Sequence, residues 1–433
     1  MQHQDLSREK LLKTELENLR DEGCQDIDLL VLIEKSTSHD LSNEEYARLW
    51  KKIDAVNQYL LKDKKEPSDL ESIQNSSPGL PQPLPQLNRS KLEEKIYGAW
   101  LARCAGCTLG KPVEGWPRNR IKQYLQAAGS YPLRSYIPAM AQFPQGLALW
   151  KNYTETTLGN ITCMVRDDDI DYTVLGLKTL ESYGRDFTSL DIGRLWLENL
   201  PYNSIFTAEV IAYRNLINEM EPPQTAFFRN PYREFIGAQI RGDMWGYVNP
   251  GDPQKAAGMA FRDACVSHTK NGIYGEMWAA ACIAAAFVLD DPQEIIRAGL
   301  AEIPAESRLS WAIRNTMEWC RQAKSPDEVF ERIETEYPSM SSIHVINNTC
   351  LIVAGLLMGK GDLGETLCIT LMGGMDTDCT CATAGSMLGA MLGADRLPAE
   401  WIDPLNDQLR SMVNGFDSSS ISDLARRTCN FIP

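Results

Sequence analysis

The chain has 433 residues, 43% of them hydrophobic and 8% aromatic, enough to bury a full core and to hold more than one domain. Its formal net charge of −15 argues against non-specific nucleic-acid binding, because no basic excess is available to neutralise phosphates. The longest apolar run, Met277 to Leu289, is short for a membrane span, and the N-terminus lacks the apolar stretch of a secretory signal.

Along the chain, residues 1–62 read as a small helical accessory unit. Leu11, Leu12, Leu16 and Leu19 recur at helical spacing, and a second amphipathic stretch begins near Asn43, with Ser42 or Asn43 as its cap. Residues 63–90, with PSD and SSPGLPQPLPQ, read as a linker laid along the surface. From Lys91 to Pro433 the pattern is that of one mostly helical domain. A first helix carries Leu92, Ile96, Trp100 and Leu101 into the small residues around Gly106 and Gly110. Further helices are expected at 170–183, 204–219, 254–266, 275–289, 309–322, 326–335, 344–358, 362–371 and 379–392. Nothing reads as a run of alternating strands, so the fold class is all-α. The segment 116–160 reads as irregular and aromatic, an active-site loop or an insertion.

The twelve cysteines are scattered, many of them in helix-like apolar sequence, among them Cys104, Cys107, Cys265, Cys282, Cys350 and Cys368. A chain this large needs no covalent staples. Free buried thiols in a reducing, cytoplasmic compartment are the expectation. The four histidines, His3, His39, His268 and His344, are too scattered for a zinc motif.

Two acidic clusters carry the chemistry. Asp167, Asp168 and Asp169 are consecutive and precede a helix; Asp376 and Asp378 follow Gly373-Gly374 and precede another. Carboxylates packed so closely repel unless cations or protons neutralise them. Capping explains one or two aspartates at a helix start but explains three poorly. Oxygen-only donors favour Mg²⁺, Mn²⁺ or Ca²⁺ over zinc. Glu114, on a loop after Gly110 and Pro112, joins this set if it faces the aspartates, and is otherwise a surface glutamate. In Arg241 to Gly251, Gly242, Asp243, Trp245, Gly246 and Tyr247 combine glycines suited to a phosphate with aromatics suited to a base. His268 and Tyr274 lie on a polar loop and His344 at a helix start. For both histidines, a structural hydrogen bond competes with a substrate contact.

The order of these motifs resembles the ADP-ribosylglycohydrolase family, which includes the dinitrogenase-reductase-activating glycohydrolase and the ADP-ribosyl-acceptor hydrolases. The family's GDALGxPxE pattern is matched by Gly106 to Glu114, its TDDT-like motif by Asp167 to Ile170, its GD segment by Gly242-Asp243 to Pro250, its SH loop by Ser267-His268, and its GGDTDT-like motif by Gly373 to Cys379. The resemblance implies an all-α fold with two divalent cations, Mg²⁺ or Mn²⁺, between helices. It implies Glu114, Asp167, Asp168, Asp169, Asp376 and Asp378 as ligands or their surroundings, with Glu114, Asp168 and Asp169 catalytic. Gly242, Asp243, Trp245, Gly246, Tyr247, His268, Tyr274 and His344 are the expected substrate contacts. The implied activity is cleavage of the N- or O-glycosidic bond between ADP-ribose and an acceptor, a modified protein side chain or a small ADP-ribosyl compound. A hydrolase of another ribosyl or nucleoside compound and an inactive ADP-ribose-binding scaffold are the alternatives. Three departures stand out: Cys107 replaces the early aspartate, Asp167 and Ile170 replace flanking threonines, and Met375 is extra while Cys379 replaces a hydroxyl ligand. Asp171 and Thr380 are the residues placed to compensate.

Overall fold

The computed structural model describes residues 6–149 and 154–433. Residues 1–5, with His3, and residues 150–153 of the 116–160 segment lie outside the described residues. The architecture is all-α. The strands Gln408–Arg410 and Ser418–Ser420 form a small antiparallel pair near the C-terminus. None of the described helices is long and apolar enough to cross a membrane.

Two helices at the centre set the geometry of the rest. Leu92–Gly110 and Thr377–Leu392 run antiparallel and touch through backbone, because each carries small residues at four-residue intervals. Gly98 meets Gly389, Ala102 meets Gly385, Gly106 meets Cys381 and Gly110 meets Thr377. A Cβ at Gly106 would lie 2.1 Å from the Cys381 carbonyl oxygen, and one at Gly110 would lie 2.2 Å from that of Thr377. The alanine-rich helix Lys270–Ala286 packs nearby, buried along its whole length, with its apolar run from Met277 onward and its earlier Lys270 and Glu276 held in buried polar contacts.

Most expected helices appear with shifted ends. The helix expected at 275–289 begins at Lys270, and that expected at 204–219 spans Thr207–Ile217. The segment 116–160 is not wholly irregular. It holds the helix Arg118–Ala127, whose Ile121, Tyr124 and Leu125 are buried at helical spacing behind Pro117. The helix Ser189–Asn199 was not anticipated; its signal is the capping box formed by Thr188 and Asp191.

The N-terminal region forms three helices, Arg8–Asp21, Ile27–Ser36 and Asn43–Leu60, the last started by a capping box between Ser42 and Glu45. Its attachment is ionic and buried. Glu15 and Glu22 accept from Arg233 at 2.9 and 2.6 Å, and Glu22 also pairs with Lys270 at 2.5 Å. The 63–90 segment follows the surface of the larger body. It includes the helix Leu70–Ser76 and is held by Glu66 to Arg308 (2.8 Å), Tyr274 Oη to the Pro67 carbonyl, and Gly79 N to the Ala301 carbonyl (2.9 Å).

Candidate active site

The antiparallel crossing brings the C-terminal end of Leu92–Gly110 beside the N-terminal end of Thr377–Leu392, where Thr377 Oγ1 donates to the Gly110 carbonyl at 2.8 Å. A tight turn through Lys111–Val113, stiffened by Pro112, then presents Glu114. The two exit loops are stitched together: Gly115 N donates to the Met375 carbonyl (2.9 Å) and Met375 N to that of Trp116 (3.1 Å). Gly374, at φ +74°, fits because a Cβ there would sit 2.7 Å from the Trp116 oxygen. Met375 is itself left-handed at φ +66°. A non-glycine residue in that region is strained, and the paired loops hold it there. Asp376 N donates to Asn348 Oδ1 at 3.2 Å, fixing the start of the helix that carries Asp378.

The other cluster arrives on the helix Asp168–Tyr183. Asp167 is its cap, with Oδ1 accepting from Asp169 N at 2.9 Å and Oδ2 held by the Lys111 ammonium. Arg103, buried in the Leu92–Gly110 helix, ties this helix to its neighbours. It donates to the Asp169 and Ile240 carbonyls (2.8 and 2.7 Å) and to Thr173 Oγ1 (2.7 Å), and pairs with Asp243 (2.8 Å). The clusters meet where the Cys379 thiol donates to Asp169 Oδ2 at 3.2 Å. Within each of the sets Asp167–Asp168–Asp169 and Asp376–Asp378–Cys379, ligand atoms lie within 4.8 Å of one another.

The electrostatics are those of a site short of positive charge. Burial and the neighbouring Asp167 push Asp168 up to about 7; burial and Glu114 do the same to Asp376. Asp169 and Asp378 rise well above the carboxylate range, first by burial, then by the surrounding carboxylates. Asp167 goes the other way: burial opposes its charge, but Lys111 and Arg166 hold it below the usual value. Asp169 Oδ1 and Asp378 Oδ1 are buried and accept no hydrogen bond. Hard oxygen donors, mutual repulsion and orphaned oxygens together fit a divalent cation. Cys379 is a poorer donor for such an ion, and burial raises its thiol well above the ordinary value. The two proposed substitutes serve elsewhere. Asp171 accepts from Ser411 Oγ, the Met412 amide and Arg166, all at 2.8 Å, and Thr380 Oγ1 bonds the Thr377 carbonyl of its own helix.

The remaining candidates lie in the packed interior. Gly242 and Gly246 exist for close packing on Lys270–Ala286: a Cβ would meet the Glu276 carbonyl oxygen at 2.9 Å in the first case and the Ile283 side chain at 2.6 Å in the second. Asp243 is the partner of Arg103, Trp245 stacks on Phe187 and donates to Glu276 (2.9 Å), and Tyr247 shares a 2.7 Å hydrogen bond with Ser386. All five residues are buried in this packing element. His268 is enclosed beside Ser267 (2.8 Å), and burial and Arg241 keep it neutral. Tyr274 anchors the 63–90 segment, and His344 caps Val345–Met358 by accepting from Ile346 N at 3.2 Å. Sequence reasoning missed Arg103, Lys111 and Asn348. Arg103 is the one charged residue within an otherwise small and apolar stretch, and Lys111 stands three residues before Glu114.

The sequence pattern described as ADP-ribosylglycohydrolase matches residues 88–430. No curated protein matches the chain. Among solved structures, a chain titled "ADP-ribosylglycohydrolase-related protein complex" superposes with a TM-score of 0.50 at 15% identity, covering 79% of this chain and 98% of that one, which is a likeness of fold. The matched region spans both acidic clusters and the helix crossing that joins them, and the chain belongs to the ADP-ribosylglycohydrolase family.

Proposed function

We propose that this protein is a divalent-cation-dependent hydrolase of the glycosidic bond between ADP-ribose and an acceptor, with a modified protein side chain as the principal acceptor. The observation that carries the reading is the meeting of Glu114, Asp168, Asp169, Asp376 and Asp378 around two buried carboxylate oxygens that accept no hydrogen bond. Mg²⁺ or Mn²⁺ would be held by Asp168, Asp169, Asp376 and Asp378, and when bound would supply Lewis-acid polarisation and an activated water. The stitched loops place Glu114 beside Asp376, and its half-buried carboxylate would take the proton from the attacking water and relay it to the leaving oxygen or nitrogen, as the water C–O bond forms and the anomeric C–O or C–N bond breaks. The carboxylates of Asp168 and Asp169 favour the positive charge that develops on the sugar. The buried free cysteines support a cytoplasmic setting, and residues 1–62 would be accessory to the chemistry alone, contributing no site residue while docking through 63–90 on a catalytic domain at 91–433.

The test is incubation with mono-ADP-ribosylated arginine and serine peptides, with Mg²⁺, with Mn²⁺ and after chelation. Release of ADP-ribose that requires the ion and is abolished in Asp378→Asn is expected. Turnover confined to nucleosides or small glycosides would move the substrate and keep the chemistry. Tight ADP-ribose binding without turnover under any ion would refute catalysis and favour a binding scaffold, a reading for which Cys379 at a hydroxyl position speaks.

A further inference from the structure

The two acidic clusters are not equivalent as cation sites, and the difference lies in Lys111. Both oxygens of Asp167 are committed within the protein. Oδ1 accepts the Asp169 amide at 2.9 Å and Oδ2 receives the Lys111 ammonium. Lys111 reaches this position from the turn that leads to Glu114, so the same backbone presents the cation and the glutamate. A divalent ion on Asp167 would have to displace the ammonium or sit against it, and like charges at such range repel strongly even in a polar interior. On the facing helix, the Cys379 thiol donates to Asp169 Oδ2 at 3.2 Å, which removes a second oxygen from the same side. The buried oxygens left without a hydrogen bond are Asp169 Oδ1 and Asp378 Oδ1, with Asp168, Asp376 and Glu114 alongside. These suffice, with water, for one hexacoordinate ion. A second ion, on Asp168, would need Asp167 beside it, and the Lys111 ammonium already stands there.

We propose that Lys111 is a built-in counter-ion that fills one of the two cation positions the carboxylates offer, so that the protein takes up a single divalent ion and Asp167 acts as a helix cap, not a ligand. This rests on the metal-dependent reading above and deepens it. Lys111 is thereby a positioning residue: it fixes Asp167 and sets the number of ions, and the tests read ion number, not activity.

The test is equilibrium dialysis of the full chain against Mn²⁺, followed by metal analysis, with helicity checked by circular dichroism. One bound ion is expected in the wild type and in Lys111→Arg, and two in Lys111→Met. Two ions in the wild type would overturn the inference and leave the metal-dependent reading standing. One ion in both the wild type and a folded Lys111→Met would also overturn it, since the lysine would then exclude nothing. No ion in any variant would sink the metal-dependent reading itself. Asp167→Ser keeps a capping side chain and supplies an arm independent of how Lys111→Met folds. It should retain one ion at near wild-type affinity, whereas a drop of roughly tenfold or more, as expected on disturbing a ligand set, would make Asp167 a ligand and refute the assignment.

Discussion

Replacing Gly106 by alanine tests whether the crossing of the two central helices sets the site. The added Cβ would stand 2.1 Å from the Cys381 oxygen, 2.5 Å from its carbonyl carbon and 2.9 Å from the Ala382 nitrogen, all backbone atoms that cannot rotate away. An ordinary carbon–oxygen approach is about 3.3 Å, so the helices must part by roughly 1.2 Å, the difference between 3.3 and 2.1 Å. Overpacking of this kind costs about 1–3 kcal/mol. The higher helix propensity of alanine returns up to about 1 kcal/mol. A net loss of up to about 2 kcal/mol lowers the melting temperature by roughly 2 °C at most in a chain of 433 residues, at about 2.1 cal/mol/K of unfolding entropy per residue. Because Glu114 leaves the end of one helix and Asp376 begins the other, the same movement misplaces them by about 1 Å, which is worth about a hundredfold in turnover. Differential scanning calorimetry and single-turnover hydrolysis measure the two effects. The control is Gly258→Ala, in the helix Pro253–Ala264, where an added Cβ meets nothing within 4 Å. A Gly106→Ala protein that melts and turns over like the control would refute the reasoning.

Three other outcomes follow from the structure. Glu114→Gln should fold normally and lower the chemical step by about 10²-fold or more, and unchanged single-turnover kinetics would remove Glu114 from the proton path. His344 is buried and pushed down to about 4, first by burial, with Glu234 opposing and Arg308 assisting. Since the folded value lies below the unfolded one of about 6.5, its contribution is fully present above pH 6.5 and is lost as pH falls toward 4, about 3 kcal/mol in all. Urea melts of wild type and His344→Asn, which keeps a capping side chain, should diverge in slope across that window, and parallel curves would contradict the argument. Truncation at Leu87 removes Glu15 and Glu22 from the buried Arg233 and Lys270. It also uncovers the apolar surface against which Leu11, Leu12, Leu16 and Leu19 are buried. The truncated chain should therefore be insoluble, and recovery of a soluble, helical protein would show these pairs to be dispensable.

The acidic helix mouths were legible because the signals are local. Three consecutive aspartates ahead of an apolar run, and Gly-Gly ahead of Asp376, speak through adjacent residues alone. The small-residue run around Gly106 likewise announced a close backbone neighbour, though not which one. What stayed hidden depends on partners far away in sequence. The glycines at 242 and 246 look suited to a phosphate until Glu276 and Ile283 are seen pressed against them. Lys111 looks like a surface lysine until Asp167, fifty-six residues on, closes over it. Arg103 is an unexplained charge in a helix until Asp169, Ile240 and Asp243 arrive from separate elements. The helix at 118–127 was obscured by its setting between prolines and aromatics, although its buried positions follow helical spacing.

The ionic anchoring of the N-terminal helices has a consequence for how the chain comes to be folded. Glu15 pairs with a residue 218 positions later, and Glu22 with one 248 positions later. During synthesis these helices emerge long before either partner exists. Their carboxylates stay hydrated until Arg233 and Lys270 are made, and only then can they exchange water for guanidinium and ammonium. Docking of these helices therefore waits on residues made much later than they are. Long-range closures of this kind slow folding, and in the interval the carboxylates of Glu15 and Glu22 stay in water while the apolar helices that follow find one another.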